Sequence, residues 1–321
     1  MKKYELTSLV IKYKGYTLHR IKALKDFGFV KEGELGGWIE KEENLSQYNN
    51  AWVYGDAMVF DDAKVFDNAK VFDEAKILGN ANIFGNANVF GNAKIFSYAM
   101  LYDNAEVYND AEVSSYAEVY GNAKVGDKAK VYGFIRIFGH ANIFGNAIIS
   151  NYAEVYGNAK IFGNAEVCGF AKVYDCAEVY SYAKICDFAK IYDHAVVHGN
   201  AVVHNRAKIY DKANVYDNAG LCGNAEAYGN ARIYGNADIK GDAKVHDAVD
   251  YIVFKNFWSS GRYFTWTRSN NKWSVGCFYG TGEELINKAY KDSEISGKEY
   301  ERVVRYVESI LADKQKDKQL K

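Results

Sequence analysis

Two consecutive six-residue phrases, Ala81-Asn82-Ile83-Phe84-Gly85-Asn86 and Ala87-Asn88-Val89-Phe90-Gly91-Asn92, decide how this chain folds. The same phrase, Ala-x-Val/Ile-aromatic-Gly/Asp-Asn, runs from Ala51 to Val245 without an insertion. Ala fills 32 of the 33 first positions (Ile135 is the exception), and Val, Ile or Leu fills 32 of the 33 third positions (Ala227 is the exception). A short period kept this strictly belongs to a solenoid, whose units cannot bury an apolar face alone and become stable only when stacked. Two apolar residues separated by one outward residue make a short strand with both apolar side chains inward. The outward positions, among them Lys64, Lys70, Glu106, Glu112, Lys160 and Glu166, read as a solvated face of mixed sign. Gly/Asp-Asn supplies the turn, because these residues tolerate left-handed backbone angles. Three strand–turn units close a triangular coil, so the 33 hexads predict 11 coils. At about 4.8 Å per coil the rod is on the order of 50 Å long.

Phrases such as Val89-Phe90-Gly91-Asn92-Ala93-Lys94 resemble the hexapeptide repeat of left-handed β-helices, as in bacterial acyltransferases. The preceding segment carries Thr17-Leu18-His19-Arg20-Ile21-Lys22-Ala23-Leu24-Lys25-Asp26-Phe27 and then Leu35-Gly36-Gly37-Trp38-Ile39. It is similar to the opening of the YdcK-like β-helix proteins of bacteria, phages and prophages, often labelled polymer-forming cytoskeletal or putative transferase. The likeness spans residues 1–248. It implies a left-handed helix and a protein of phage type, and it supplies no catalytic residues to carry over.

Three regions follow, which together predict an all-β solenoid with an N-terminal β cap and a C-terminal α+β domain. Residues 1–50 read as a hairpin, Leu6–Lys12 and Tyr16–Leu24 around Lys14-Gly15, covering the first coil. Residues 51–248 are the solenoid. In residues 249–321 the hexad stops, and Asp250–Trp258, Tyr263–Arg268 and Lys272–Phe278 read as strands. Two helices are announced by capping boxes at Thr281-Gly282-Glu283-Glu284 and Ser296-Gly297-Lys298-Glu299. Tyr300, Val303, Val307 and Ile310 give the second helix a face to pack on the sheet, and Lys314–Lys321 reads as a charged, fraying tail.

A net charge of −1, from 40 basic and 41 acidic residues, gives no global attraction to nucleic acid. No apolar run is long enough to cross a membrane and no signal peptide opens the chain, so a cytoplasmic protein is expected, in the host bacterium if phage-encoded. Five cysteines, an odd number, do not look like a disulfide framework. There is no proline, so every turn is made with Gly, Asn and Asp.

Residues 18 apart sit above one another. One corner therefore stacks ten aromatics from Phe66 to Tyr228, and a second stacks most of Tyr54 to Tyr234. The third corner breaks the pattern: Tyr98, Tyr116, Phe134, Tyr152, Phe170 and Phe188 stand where the repeat places Asn. Bulky residues fit poorly in a left-handed turn, so the turn there differs or the rings are held by something. This corner reads either as self-packing or as a docking surface. Cys168, Cys186, His204 and Cys222 line the same corner, but four residues spread over three coil spacings are too far apart for one tetrahedral ion. No metal and no cofactor is expected. His140, His194, His198 and His204 have no orienting carboxylate that the sequence assigns to them, so the signal for catalysis is weak.

The C-terminal region concentrates Trp258, Arg262, Tyr263, Trp266, Arg268 and Trp273, and Arg with aromatics is the composition of binding hot spots. Arg262, Trp266 and Arg268 are expected to share one contact face. The expected activity is non-enzymatic binding, with an acyltransferase-like enzyme and a filament-forming protein as alternatives. The expected partner is a host protein, a nucleotide or small ligand being the alternative, with self-association through the aromatic corner as a further reading. A role in blocking host defence is implied only by the phage resemblance.

Overall fold

The structure is a computed structural model that describes residues 2–319, with side chains described to residue 313. Each hexad forms one strand of two residues, lengthened to four at Glu112–Ser115, Lys130–Gly133 and Ile148–Asn151. Every solenoid strand before the last coil pairs in parallel with the strand 18 residues on, as Asn88 with Glu106 and Val89 with Val107. The result is a triangular parallel β-solenoid with three faces. The first face stacks 11 strands from Trp52–Val53 to Arg232–Ile233, and the third stacks 11 from Lys64–Val65 to Lys244–Val245. The second runs from Met58–Val59 to Asp238–Ile239 and is extended by the N-terminal strands into a sheet of 14.

The core repeats one motif: first-position Ala and third-position Val, Ile or Leu are buried throughout. The left-handed residue of each turn is the fifth of the hexad. Where it is Asp it has a second use, because its carboxylate accepts the backbone N–H one coil on. Asp103 takes Gly121 N at 3.1 Å and Asp211 takes Gly229 N at 2.9 Å. On the outward rows the mixed signs become intercoil ion pairs, such as Lys94–Glu112 and Lys160–Glu178.

The N-terminal region does more than cover the first coil. β1 (Tyr4–Tyr13) and β2 (Tyr16–Ala23) form the expected hairpin, and β2 pairs antiparallel with β3 (Leu35–Ile39). β3 then pairs in parallel with Met58-Val59, and Leu45 bridges Val65. The segment thus adds most of a further turn, giving about 12 in all. Gly36 and Gly37 allow this crossing: a Cβ on either would lie 2.6 Å from backbone oxygens of Val53 or Ala57. Tyr4 and Phe27 meet Trp52 edge-on to close the core, and buried Lys3 donates to the Ala51 carbonyl at 2.8 Å.

At the other end, Tyr251–Lys255, Tyr263–Thr267 and Lys272–Val275 form the expected antiparallel strands, joined by a fourth, Phe278–Gly280. One side of this sheet carries Phe264, Trp266, Trp273 and Val275 against α1 (Gly282–Asp292) and α2 (Glu294–Gln319). The other side is polar and docks on the last coil: the Asp238 N–H donates to Thr265 Oγ1 at 2.9 Å, and Ser274 Oγ donates to Asp238 Oδ2 at 2.9 Å. Tyr251 and Val253 pack against the solenoid core.

The Thr281 capping box is present, but α2 starts before Ser296. Ser293 Oγ accepts the Ser296 N–H there, because α1 runs to Asp292 and leaves no room for a longer linker. Val304 takes a buried place in the α2 face beside Tyr300 and Val307, with Val303 and Leu311 partly buried next to them. The helix continues to Gln319 in place of a frayed stretch from Lys314; Leu320 and Lys321 lie outside the described residues.

Candidate functional site

Tyr98, Tyr116, Phe134, Tyr152, Phe170 and Phe188 form one continuous stack between the second and third faces. Successive ring centroids lie 4.6–5.3 Å apart and neighbouring planes within 7°. Offset and parallel stacking of this kind adds about 0.5–1.5 kcal/mol per pair beyond burial. The rings nevertheless stay half in water, from 48% for Tyr152 to 53% for Phe188.

The anticipated strain is absent. The left-handed residue is the one before each ring (Ser97, Ser115, Gly133, Asn151, Gly169 and Asp187), so the aromatics occupy ordinary backbone angles. The corner does differ where the three four-residue strands extend into it. At Tyr116, Tyr152, Phe170 and Phe188 the residue two positions earlier is small (Ser114, Ser150, Cys168 and Cys186), whereas Tyr98 and Phe134 follow Phe96 and Tyr132. Ser114 and Ser150 are buried, and Cys168 is bonded to Cys186, a pairing that the expectation of no disulfide framework missed.

The ladder at the far edge of the third face is deeper. All ten rings from Phe66 to Tyr228 stack without a break, and His246 closes the end edge-on to Tyr228. Burial pushes the hydroxyls of Tyr102, Tyr174, Tyr192 and Tyr210 up to about 12.

The C-terminal cluster divides in two. Trp266 and Trp273 are each 2% exposed, paired across neighbouring strands beneath the helices, and Trp266 Nε1 donates to Asn271 Oδ1 at 2.9 Å. The expected shared face of Arg262, Trp266 and Arg268 therefore does not exist as an accessible surface. Strand alternation does send Trp266 to one side with Phe264, but that side is the domain core. Arg262 and Arg268 remain exposed at opposite ends of the strand, and Tyr263 is 36% exposed.

The exposed aromatics are in the loop just before, where Phe257 is 73% and Trp258 82% exposed. This loop is fixed. Asn256 Oδ1 accepts the N–H groups of Trp258 and Ser259, its Nδ2 donates to Ser259 Oγ, and Tyr300 OH donates to Ser260 Oγ. Lys255 Nζ lies 5.1 Å from the Phe257 ring and 5.5 Å from Tyr263, so the tip is both aromatic and basic. Asn256, the signal for an ordered loop, was readable as an Asx turn before Ser259-Ser260-Gly261.

The histidines are spread over the rod. His198 is stacked between Tyr180 and Tyr216, His194 lines an open cleft with Asp193, Asp211 and Lys212, and His204 Nδ1 lies 3.8 Å from Asp187 Oδ2. The carboxylates beside His194 and His204 come from turn positions one coil away or adjacent, which sequence reading did not connect. Both sites are shallow and open, unlike a water-excluding active site. Among the described residues no three His, Cys, Asp or Glu side chains converge closely enough to hold a metal, and no helix is long and apolar enough to cross a membrane.

By its fold this chain is a parallel β-solenoid repeat protein carrying a small α+β domain at its C-terminal end. No protein-family model matches it, and no curated protein is similar to it in sequence.

Proposed function

We propose that this protein is a non-enzymatic β-solenoid binding protein of phage type, a rigid rod that presents the Phe257–Tyr263 loop to a host protein. The supporting observation is the exposure of Trp258 and Phe257 beside Lys255, with Arg262 exposed in the same loop, which is already locked by Asn256. Large aromatics with Arg are the residues that dominate binding energy, and a preordered loop loses little entropy on docking. The basic side chains favour an acidic protein patch as the contact. The left hand of the helix, the phage origin and a role in disabling host defence rest on the likeness of the opening motif to YdcK-like proteins.

The test is capture of host components from bacterial lysate by tagged protein, read by mass spectrometry. Trp258→Ala with Arg262→Ala should reduce the captured component at least tenfold while circular dichroism and melting stay unchanged. Retention of the component by the double variant would refute the loop as the recognition element. Acetyl transfer from acetyl-CoA to a panel of sugars and amines should be absent, and its presence would favour the acyltransferase-like alternative.

A further inference from the structure

The third face is bordered on both sides by aromatic ladders, the half-exposed strip Tyr98–Phe188 and the deeper Phe66–Tyr228 stack. Its central outward row reads Lys64, Asn82, Met100, Glu118, Arg136, Glu154, Lys172, Lys190, Lys208, Glu226 and, in the last coil against the C-terminal sheet, Lys244. We infer that this face binds a second copy of the chain, face to face and antiparallel, about a two-fold axis lying between the coils of Arg136 and Glu154. A two-fold axis perpendicular to the rods keeps the same edge of both copies on the same side, so strip meets strip and row meets row.

Two independent patterns place the axis at the same point. In the strip, the six rings are centred between Phe134 and Tyr152. About that centre Tyr98 faces the second copy's Phe188, Tyr116 its Phe170, and Phe134 its Tyr152. Every contact pairs one hydroxylated ring with one bare ring, so no hydroxyl has to be buried against another. In the charged row the same axis sets Arg136 opposite Glu154, Glu118 opposite Lys172 and Lys64 opposite Glu226, with Asn82 and Met100 opposite Lys208 and Lys190.

No like charges meet in this register. Sliding one copy by a single coil brings Glu118 against Glu154 in one direction and Arg136 against Lys172 in the other. Like-charge juxtaposition of that kind is how interfaces reject wrong registers. Within the chain, Arg136 and Lys172 both pair with Glu154, whereas Lys64, Glu118 and Lys190 make no ion pair among the described residues. These three charges therefore lie within the proposed footprint, Glu118 facing a Lys and Lys64 facing a Glu.

The area suffices. Ten coils at about 4.8 Å and a face about 16 Å wide give roughly 770 Å² per copy, close to the 800 Å² or so that stable interfaces bury on each side. The disposition of the ends allows it too: the hairpin extends the second face, and the C-terminal sheet caps the last coil, meeting the third face at its final strand through the Lys244 N–H and Ser269 Oγ.

The experiment is charge reversal with rescue, read by size-exclusion chromatography with light scattering and by sedimentation equilibrium. Wild-type protein at tens of micromolar should be a dimer. Glu118→Lys sets an ammonium group against the second copy's Lys172 at both symmetry-related contacts and should weaken the dimer roughly 100-fold, with an unchanged circular dichroism spectrum. Adding Lys172→Glu restores opposite charges at both contacts and should recover the dimer to within tenfold of wild type. A monomeric wild type, a dimer indifferent to Glu118→Lys, or a double variant no tighter than Glu118→Lys would each overturn the proposal. None of these outcomes touches the Phe257–Tyr263 loop, so the dimer and the recognition reading fail separately.

Discussion

At Gly139 a larger side chain should be tolerated better than a smaller one. Gly139 has φ +71°, and a Cβ there would lie 3.0 Å from the N and O of Gly157 one coil on. Gly139→Ala combines the left-handed backbone, about 1–2 kcal/mol for a residue with a Cβ, with a tight backbone contact. A total on the order of 2–3 kcal/mol follows. Gly139→Asp meets the same two costs. It also recreates the contact seen where Asp precedes Gly in the turn stack, as Asp73 does with Gly91 N at 2.9 Å and Asp127 with Gly145 N at 3.0 Å. A charged acceptor on a backbone N–H is worth about 1.5–3 kcal/mol, and Asp tolerates the left-handed region better than Ala. The two terms nearly cancel, so Gly139→Asp should fall within about 1 kcal/mol of wild type. Neighbouring positions 121 and 157 are both Gly, so no like charge confuses the comparison. Thermal melting followed by circular dichroism should rank wild type and Gly139→Asp together and well above Gly139→Ala. If the Asp variant melts at or below the Ala variant, the turn carboxylates do not stabilise coil stacking and the reasoning is wrong.

Other expectations are direct. Ala159→Leu overfills a fully buried site and should cost on the order of 1–3 kcal/mol, whereas Lys160→Ala, which removes only the exposed pair with Glu178, should stay within about 0.5 kcal/mol by denaturant titration. Trp266→Ala should destabilise the C-terminal domain by about 3–5 kcal/mol, while the exposed Trp258→Ala should leave its melting unchanged. The hydroxyls of Tyr102, Tyr174, Tyr192 and Tyr210 ionise near 12 in the folded rod and near 10 when unfolded. Folding is thus unaffected below pH 10 and loses stability as pH rises from about 10 to 12. Replacing these four by Phe should flatten that decline in an alkaline melting series.

The solenoid was legible because each hexad repeats the same local decision. Inward Ala and Val, an outward polar residue and a Gly/Asp turn point to one answer at every level. What one period could not carry was the location of the left-handed residue within the turn. Assigning it to the Asn position made the rings from Tyr98 to Phe188 look strained, whereas the backbone turns one residue earlier. The Cys168–Cys186 pairing was hidden for a related reason: a ladder places side chains side by side, but which pair approaches depends on the rotamers that the neighbouring rings allow. In the C-terminal domain the alternation of Arg262, Trp266 and Arg268 did not carry to a shared face, because the strand is only Tyr263–Thr267 and both arginines lie beyond its ends. A five-residue strand has two faces, and only the helices that follow decide that Trp266 is inside. Trp258 belonged to no periodic pattern, and exposure of a lone loop tryptophan follows from what fails to pack on it.

The paired rods and the exposed loops combine in one geometry. In an antiparallel pair the C-terminal domain of each copy lies beside the N-terminal hairpin of the other, so the two Phe257–Tyr263 loops stand at opposite ends of the particle, about 50 Å apart on the coil spacing. Coils held by continuous parallel pairing and aromatic stacking bend little, so this separation is set by the fold and not by a linker. Two loops at a fixed distance gain effective concentration only on a target whose sites match that span. A dimer broken by Glu118→Lys keeps each loop intact and loses only that geometric gain. Host capture by Glu118→Lys should accordingly weaken on a multivalent partner and stay at the wild-type single-site level on a monomeric one. The loop variant should lose both.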